Sequence, residues 1–124
     1  MAITIHHEIT LPAAPARIYE TLVEPARFAE ATGAPATGDA SGFSAFGGHV
    51  LTRHVELVPG KRVVQAWRAK TWPEGVWSIA RFELAGKDGG TKLVFDHENF
   101  PEDMKDHLDK GWHANYWDKL RGLA

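Results

Sequence analysis

Histidines are the residues in this sequence whose type suggests chemistry most directly. The chain has seven among its 124 residues, and imidazole is both a common metal ligand and a proton carrier near neutral pH. His6 and His7 are adjacent in a strand-like stretch and so point to opposite faces. His107 and His113 lie six positions apart, roughly 240° around a helix. Because these spacings do not converge on one ion, we expect no native metal site and no cofactor.

Carboxylates at helical spacing offer a simpler role for two of these histidines. Asp103 precedes His107 by four residues, and Asp109 precedes His113 by four. Side chains four apart are neighbours on a helix surface. Ion pairing on the helix surface is therefore the expected role of both histidines.

Proton transfer is the second chemistry that the sequence suggests, at His97 between Asp96 and Glu98. An inward histidine of this kind can act as a general acid or base, although a half-buried histidine hydrogen-bonded at a cavity rim is the simpler interpretation. The chain has no cysteine and no phosphate-binding glycine loop. Since no nucleophile is paired with a base, no catalytic residue is assigned and an enzyme is the least favoured function class.

Composition excludes several partners. Fourteen basic residues against sixteen acidic ones give a net charge of −2, so no basic surface for nucleic acid is expected. The basic residues are scattered, which argues against an anionic membrane surface. The amino-terminal stretch is too polar for a signal peptide, and no apolar run approaches the length of a membrane span. These features predict a cytoplasmic protein without disulfides.

The first third of the chain predicts one strand and two short helices. Residues 3–11 place apolar side chains and His7 at alternate positions, which indicates a strand. Pro15 and Pro25 suit the first turns of two helices, and Gly33 suits the end of the second. Residues 33–42 are small and polar, and predict a loop with at most one weak strand.

Four strand-length segments follow: HVLTRHVELV, RVVQAWRA, VWSIARFEL and TKLVFDHEN. Short turns such as Gly47-Gly48 and Pro59-Gly60 separate strands that should pair as antiparallel neighbours. The alternation of apolar and charged residues fixes the buried face of the last three. Their inward residues are Val63, Gln65, Trp67, Ala80, Phe82, Leu84, Leu93, Phe95 and His97. In the first segment either Leu51, Val55 and Leu57 or Val50 and His54 face inward.

The carboxyl-terminal residues 102–124 predict one long amphipathic helix after Pro101. Its apolar face consists of Met104, Leu108, Trp112, Tyr116, Leu120 and Leu123, at spacings of three and four. Trp117 lies about 100° around this helix from Tyr116 and is expected to be partly exposed. Glycine costs a helix interior about 1 kcal/mol relative to alanine. We therefore expect Gly111 to mark a close approach of the sheet that an alanine side chain would obstruct.

These elements predict an α+β fold in a single domain of residues 1–124. The curved antiparallel sheet has one apolar face, and the carboxyl-terminal helix has the apolar stripe that covers it. Three motifs in this order are more specific: FSAFGGHV at 43–50, ELVPGKRVVQAWRAKTWPEG at 56–75 and GWHANYWDKL at 111–120. Together they resemble the AHSA-type domain of activators of heat shock protein 90 ATPase, in particular its carboxyl-terminal type.

The resemblance places the chain in the START and birch-pollen-allergen-like (SRPBCC) superfamily. It implies a helix-grip fold, in which the curved sheet wraps around the long carboxyl-terminal helix and two short helices follow the first strand. Many members of that superfamily hold an apolar ligand between sheet and helix, and a few are cyclases, hydratases or hydrolases. The eukaryotic co-chaperone carries a further amino-terminal domain, for which 124 residues leave no room.

The function expected from residues and resemblance together is binding of an apolar small molecule in a cavity between sheet and helix. The predicted cavity residues are Gln65, Trp67, Ser78, Phe82, Phe95, His97, Trp112 and Tyr116. The alternative is a chaperone-associated interaction module, with a chaperone or a second copy of the chain as partner. For that alternative the loop AKTWPEGVW matters, because Trp72 and Trp77 flank its turn and exposed aromatic surface marks interaction sites. Trp72 folded back over the sheet edge is an equal expectation.

Overall fold

A curved antiparallel sheet of seven strands forms the body of the protein, in a computed structural model that describes residues 4–39 and 41–123. The strands are β1 (Thr4–Leu11), β2 (Thr37–Asp39), β3 (Gly42–Ala45), β4 (Val50–Val58), β5 (Arg62–Ala69), β6 (Ser78–Lys87) and β7 (Gly90–Glu98). Their order across the sheet is β1-β7-β6-β5-β4-β3-β2, so β4 to β7 are consecutive neighbours. The predicted meander and the weak strand within residues 33–42 are both confirmed.

Two short helices, α1 (Pro15–Val23) and α2 (Pro25–Thr32), follow β1 as predicted. Each begins with its proline, whose missing N–H costs nothing in a first turn. Helix α1 buries Ile18 and Leu22 and contacts β5, β6 and β7. Gly33 caps the end of α2, and its φ of 75° is the left-handed conformation that glycine accepts most readily.

Strand β4 turns Val50, Thr52 and the half-buried His54 toward the helices, which resolves the alternative that its sequence left open. Leu51 and Val55 are exposed on the outer face. A β-bulge between His54 and Glu56 shifts the register against β5, and an extra residue of this kind interrupts the period of two. That interruption explains why alternation alone could not determine the buried face.

The turn before β4 differs from the two-residue hairpin predicted at Gly47-Gly48. A short 3₁₀ turn, Phe46–Gly48, joins β3 to β4, and both glycines have positive φ, 68° and 95°. The strands are antiparallel neighbours, as the turn prediction required. The longer turn places the Phe46 ring beside the carboxyl-terminal helix, 5.7 Å from the ring centre of Tyr116.

The carboxyl-terminal helix changes its winding along its length. It begins as a 3₁₀ turn (Glu102–Met104), continues as α3 (Lys105–Gly111), widens into a π-helical turn (Trp112–Trp117) and ends as α4 (Asp118–Leu120). In the widened turn the Asp118 N–H donates to the His113 carbonyl, an i→i+5 bond. Such turns are rare, usually single, and frequent at functional sites.

The prediction that Trp117 is partly exposed is wrong, and the π-helical turn is the reason. Trp117 is fully buried, not partly exposed. A turn closed over five residues brings side chains five apart onto one side of the helix, whereas α-helical winding would separate them. Trp112 and Trp117 therefore both enter the core, with stacked rings 5.8 Å apart.

Candidate functional site

His97 lies at the centre of a buried hydrogen-bond chain between the sheet and the carboxyl-terminal helix. The Trp112 indole N–H donates to His97 Nδ1 at 3.0 Å. His97 Nε2 lies 2.7 Å from Ser78 Oγ, and the Ser78 hydroxyl donates to the Trp67 carbonyl at 2.6 Å. His97 and Ser78 are both fully buried. The chain connects the helix to β7, β6 and β5.

These partners determine the protonation of His97. An indole nitrogen can only donate, so Nδ1 must carry a lone pair and Nε2 the proton, which it donates to Ser78 Oγ. A second proton on Nδ1 would face the Trp112 N–H. Burial also disfavours the charged ring and lowers the pKa of His97 to about 3. His97 is thus a neutral connector inside the core, and the expectation of a half-buried histidine at a cavity rim is wrong.

His7 repeats this arrangement on β1. The Trp117 indole N–H donates to His7 Nδ1 at 2.8 Å, and His7 Nε2 donates to Asp109 Oδ1 at 2.7 Å. The His113 ring packs against His7, with ring centres 4.3 Å apart. Asp109 therefore pairs with His7 across the fold, in place of the predicted pairing with His113, because β1 brings the half-buried His7 ring within its reach. The two tryptophans of the π-helical turn each anchor the helix to a sheet histidine.

A cavity of about 290 Å³ opens between the carboxyl-terminal helix and the β3–β4 side of the sheet. Its lining residues are Phe46, His49, Val50, Trp67, Ala69, Thr71, Met104, His107, Leu108, Gly111, Trp112, Asn115 and Tyr116. The buried part of the wall is aromatic and aliphatic, while His49, Thr71, His107 and Asn115 are exposed. Apolar walls with a few polar groups are typical of small-molecule sites.

Three of the eight predicted cavity residues, Trp67, Trp112 and Tyr116, line this cavity. The other five lie in the packed core. Phe82 and Phe95 pack against each other, with ring centres 5.0 Å apart. Inward orientation was predicted correctly, but the tryptophan side chains of the helix fill the centre of the sheet and leave space only at one end.

The two remaining polar residues of the predicted set have structural partners. Ser78 belongs to the hydrogen-bond chain of His97. Gln65 Nε2 donates to the Leu22 carbonyl at 3.4 Å, which connects β5 to the end of α1. Neither is among the residues that line this cavity, and both are buried in the core. His107, Gly111 and Asn115 line the cavity without having been predicted to do so, although their spacing of four places them on one face of the helix.

Gly111 has no close neighbour that would exclude a side chain. A β-carbon there would come no nearer than 3.7 Å to Asn115 Nδ2, an ordinary contact, so the predicted clash with alanine is wrong. Its φ of −63° and ψ of −38° are ordinary helical values. Neither backbone conformation nor packing thus requires glycine at a position that lines the cavity.

A second, open hollow of about 650 Å³ lies under the loop after β5, beside the first cavity. Trp72, Pro73, Trp77, Phe100 and Pro101 are among its lining residues. Trp72 is buried beside Trp67, which agrees with the expectation that it folds back over the sheet edge. Its indole N–H is buried and has no hydrogen-bond partner among the residues that the structure describes.

The fold and site define a helix-grip domain with a small cavity at one end of the grip. The chain belongs to the AHSA1 family, described as activator of Hsp90 ATPase homolog 1-like protein, whose family model matches residues 12–124. A human relative, activator of 90 kDa heat shock protein ATPase homolog 1, is 32% identical over 93 residues, 73% of this chain but 28% of its own length. An uncharacterized Schizosaccharomyces pombe protein is 33% identical over 92 residues, 72% of this chain and 27% of its own length. The chain thus corresponds to about a quarter of these relatives.

Solved structures agree on the fold. An HSP90 activator from Plasmodium falciparum superposes with a TM-score of 0.83 at 22% identity, covering 97% of this chain and 93% of that one. The Aha1 dimer from Colwellia psychrerythraea gives a TM-score of 0.79 at 24% identity, covering 98% and 96%. Within the described residues, no helix combines the length and apolarity needed to cross a bilayer.

Proposed function

We propose that this AHSA-type domain binds a small apolar molecule in the cavity between the carboxyl-terminal helix and the β3–β4 side of the sheet. The cavity volume of about 290 Å³ lies just below the range of roughly 300–1,000 Å³ that is usual for ligand sites. Its wall is formed mainly by buried or half-buried apolar side chains, which would contact a ring system of one or two rings. We further propose a single domain over residues 1–124 and a cytoplasmic location.

Gly111 is the observation that carries this proposal. Glycine within a helix is less favourable than alanine by about 1 kcal/mol, and nothing in the packing around Gly111 offsets that cost. Because glycine has no side chain, the volume beside Gly111 at the cavity wall is open. The glycine is explained if this position must leave space for a bound small molecule.

Substitutions at position 111 test the proposal. Gly111→Ala should fold and melt at or above the wild-type temperature, because helix propensity improves and the added methyl group meets no obstacle. Gly111→Leu should fill the cavity and weaken binding of 2-isopropenylnaphthalene, an apolar probe, on the order of tenfold or more. Binding is followed by NMR through the indole N–H signals of Trp67 and Trp112.

Ala114→Leu is the matched control, because it adds a larger side chain to an exposed position of the same helix. It should leave probe binding unchanged. In parallel, small molecules extracted from natively purified protein are identified by mass spectrometry and compared between the two leucine variants. The proposal fails if wild-type protein neither binds the probe nor retains any small molecule, or if Gly111→Leu binds as well as Ala114→Leu.

A chaperone-associated role is the second candidate, and the hollow under Trp72 favours it. The human relative is named activator of 90 kDa heat shock protein ATPase homolog 1, and an acceptor on a partner segment would satisfy the buried Trp72 N–H. One related structure is a dimer, so a second copy of the chain is the other partner considered. If this role is correct, the chain should stimulate Hsp90 ATPase activity.

Trp72→Phe provides the matched variant for that measurement, because it removes the N–H and keeps an aromatic ring over the hollow. We expect the concentration of the variant that gives half-maximal stimulation to be about threefold to tenfold higher than for wild type, which corresponds to the loss of one neutral hydrogen bond. If the protein neither binds Hsp90 nor stimulates its ATPase at tens of micromolar, the chaperone role is excluded. The small-molecule role is unaffected by that result.

A further inference from the structure

Tyr116, which lines the cavity, has a hydroxyl whose proton is not used in a hydrogen bond. Trp67 Nε1 donates to Tyr116 Oη at 3.2 Å. An indole nitrogen accepts nothing, so the phenolic proton must go elsewhere. Within residues 4–39 and 41–123 the structure gives the hydroxyl no acceptor. Tyr116 is only 4% exposed, and an unsatisfied buried donor is costly.

The surroundings of Tyr116 leave the cavity as the place where an acceptor would lie. The rings of Phe28, Phe46, Phe82 and Trp112 surround the tyrosine, with centroids between 4.3 and 6.4 Å away. None of these rings offers an oxygen acceptor. Tyr116 and its hydrogen-bond partner Trp67 both line the cavity. Because burial raises the pKa of the Tyr116 phenol, it stays a proton donor at every physiological pH.

The charges around the cavity restrict the acceptor to a neutral one. Its described lining residues include neither lysine nor arginine, and its two histidines, His49 and His107, are exposed. A carboxylate or phenolate at Tyr116 would be a buried anion without a cationic partner, which is strongly unfavourable. A carbonyl oxygen accepts one hydrogen bond without bringing charge into the aromatic wall.

We infer that the cavity takes a neutral aromatic carbonyl compound, such as an aryl ketone or quinone, whose oxygen accepts the Tyr116 hydroxyl proton while its ring packs against Trp67 and Trp112. This inference rests on the proposed small-molecule function and adds the chemical class of the ligand. Trp67 holds the hydroxyl in place by occupying its acceptor side. Tyr116 is in this sense a specificity residue.

Two probes of nearly equal shape test the inference. The ketone 2-acetylnaphthalene and the alkene 2-isopropenylnaphthalene differ mainly in C=O against C=CH₂. Wild-type protein should bind the ketone about threefold to tenfold more tightly, the range of one neutral hydrogen bond. Tyr116→Phe should lose this preference and bind the ketone no more tightly than the alkene, because a buried carbonyl without a donor gains nothing over the apolar group. Because Tyr116→Phe also frees the Trp67 N–H, which can itself donate to a ketone, the Trp67→Phe/Tyr116→Phe double variant is measured as well, and it should show no preference for the ketone. The anion 2-naphthoate should bind wild-type protein more weakly than the ketone.

The outcomes separate the inference from the function on which it rests. If wild-type protein binds ketone and alkene equally well, or if the preference for the ketone persists in the Trp67→Phe/Tyr116→Phe double variant, the carbonyl assignment is overturned and the apolar cavity stands. Tighter binding of 2-naphthoate than of the ketone would also overturn it. If wild-type protein binds none of the probes, the cavity is not a ligand site and both conclusions fall.

Discussion

Replacing Trp117 by alanine is expected to destabilise the protein by about 3–5 kcal/mol, the range for deleting a fully buried large aromatic side chain. Trp117 has no exposed surface. Its ring packs against Phe95 at a centroid distance of 5.0 Å, and its N–H donates to His7. A loss of this size is a large part of the 5–15 kcal/mol that stabilises a typical domain.

Chemical denaturation of a small variant set measures this effect. Trp112→Ala should cost about as much as Trp117→Ala, because both side chains are buried and each donates to a sheet histidine. Trp77→Ala should cost clearly less, because Trp77 is only partly buried. If Trp117→Ala lies within about 1 kcal/mol of wild type, the helix continues with α-helical winding and Trp117 is at its surface.

The π-helical turn also shows where sequence periodicity stops being informative. The order of elements, the antiparallel meander and the inward faces of three strands could be predicted, because alternation and turn residues are local signals. The widened turn at Trp112–Trp117 has no local signal, since its residues also fit an α-helix. Only the positions of His7 and His97 on two neighbouring strands give both tryptophans their partners.

The type of residue at the candidate site could be predicted from the sequence better than the position of the cavity. Inward aromatic residues indicated that helix and sheet meet through large side chains, and Trp67, Trp112 and Tyr116 do line the cavity. Which residues fill space and which border a void depends on three-dimensional packing. The ring centre of Trp112 lies 4.3 Å from that of Phe95, which closes the centre of the sheet, so the void lies toward Phe46 and Gly111.

His97 is expected to make the stability of the protein depend on pH in one direction. In the folded protein burial lowers the pKa of His97 to about 3, whereas an unfolded chain has a histidine pKa of about 6.5. Below pH 6.5 the unfolded state therefore binds one more proton than the folded state, and unfolding becomes easier as pH falls. The contribution of His97 is complete above pH 6.5 and declines by about 1.4 kcal/mol per pH unit toward pH 3.

Two measurements test this expectation. Ring ¹⁵N chemical shifts should show a neutral His97 with its proton on Nε2 from pH 8 to pH 4.5. In the same spectra the exposed His6 should titrate above its usual range, because hydrogen bonds to Glu8 and Asp96 raise its pKa. Between pH 6.5 and 5 the free energy of unfolding should fall by about 2 kcal/mol more in wild type than in His97→Gln, which lacks the titrating ring. Titration of His97 with a midpoint near 6.5 would contradict the neutral connector, because a protonated ring cannot accept the Trp112 N–H that joins the helix to the sheet.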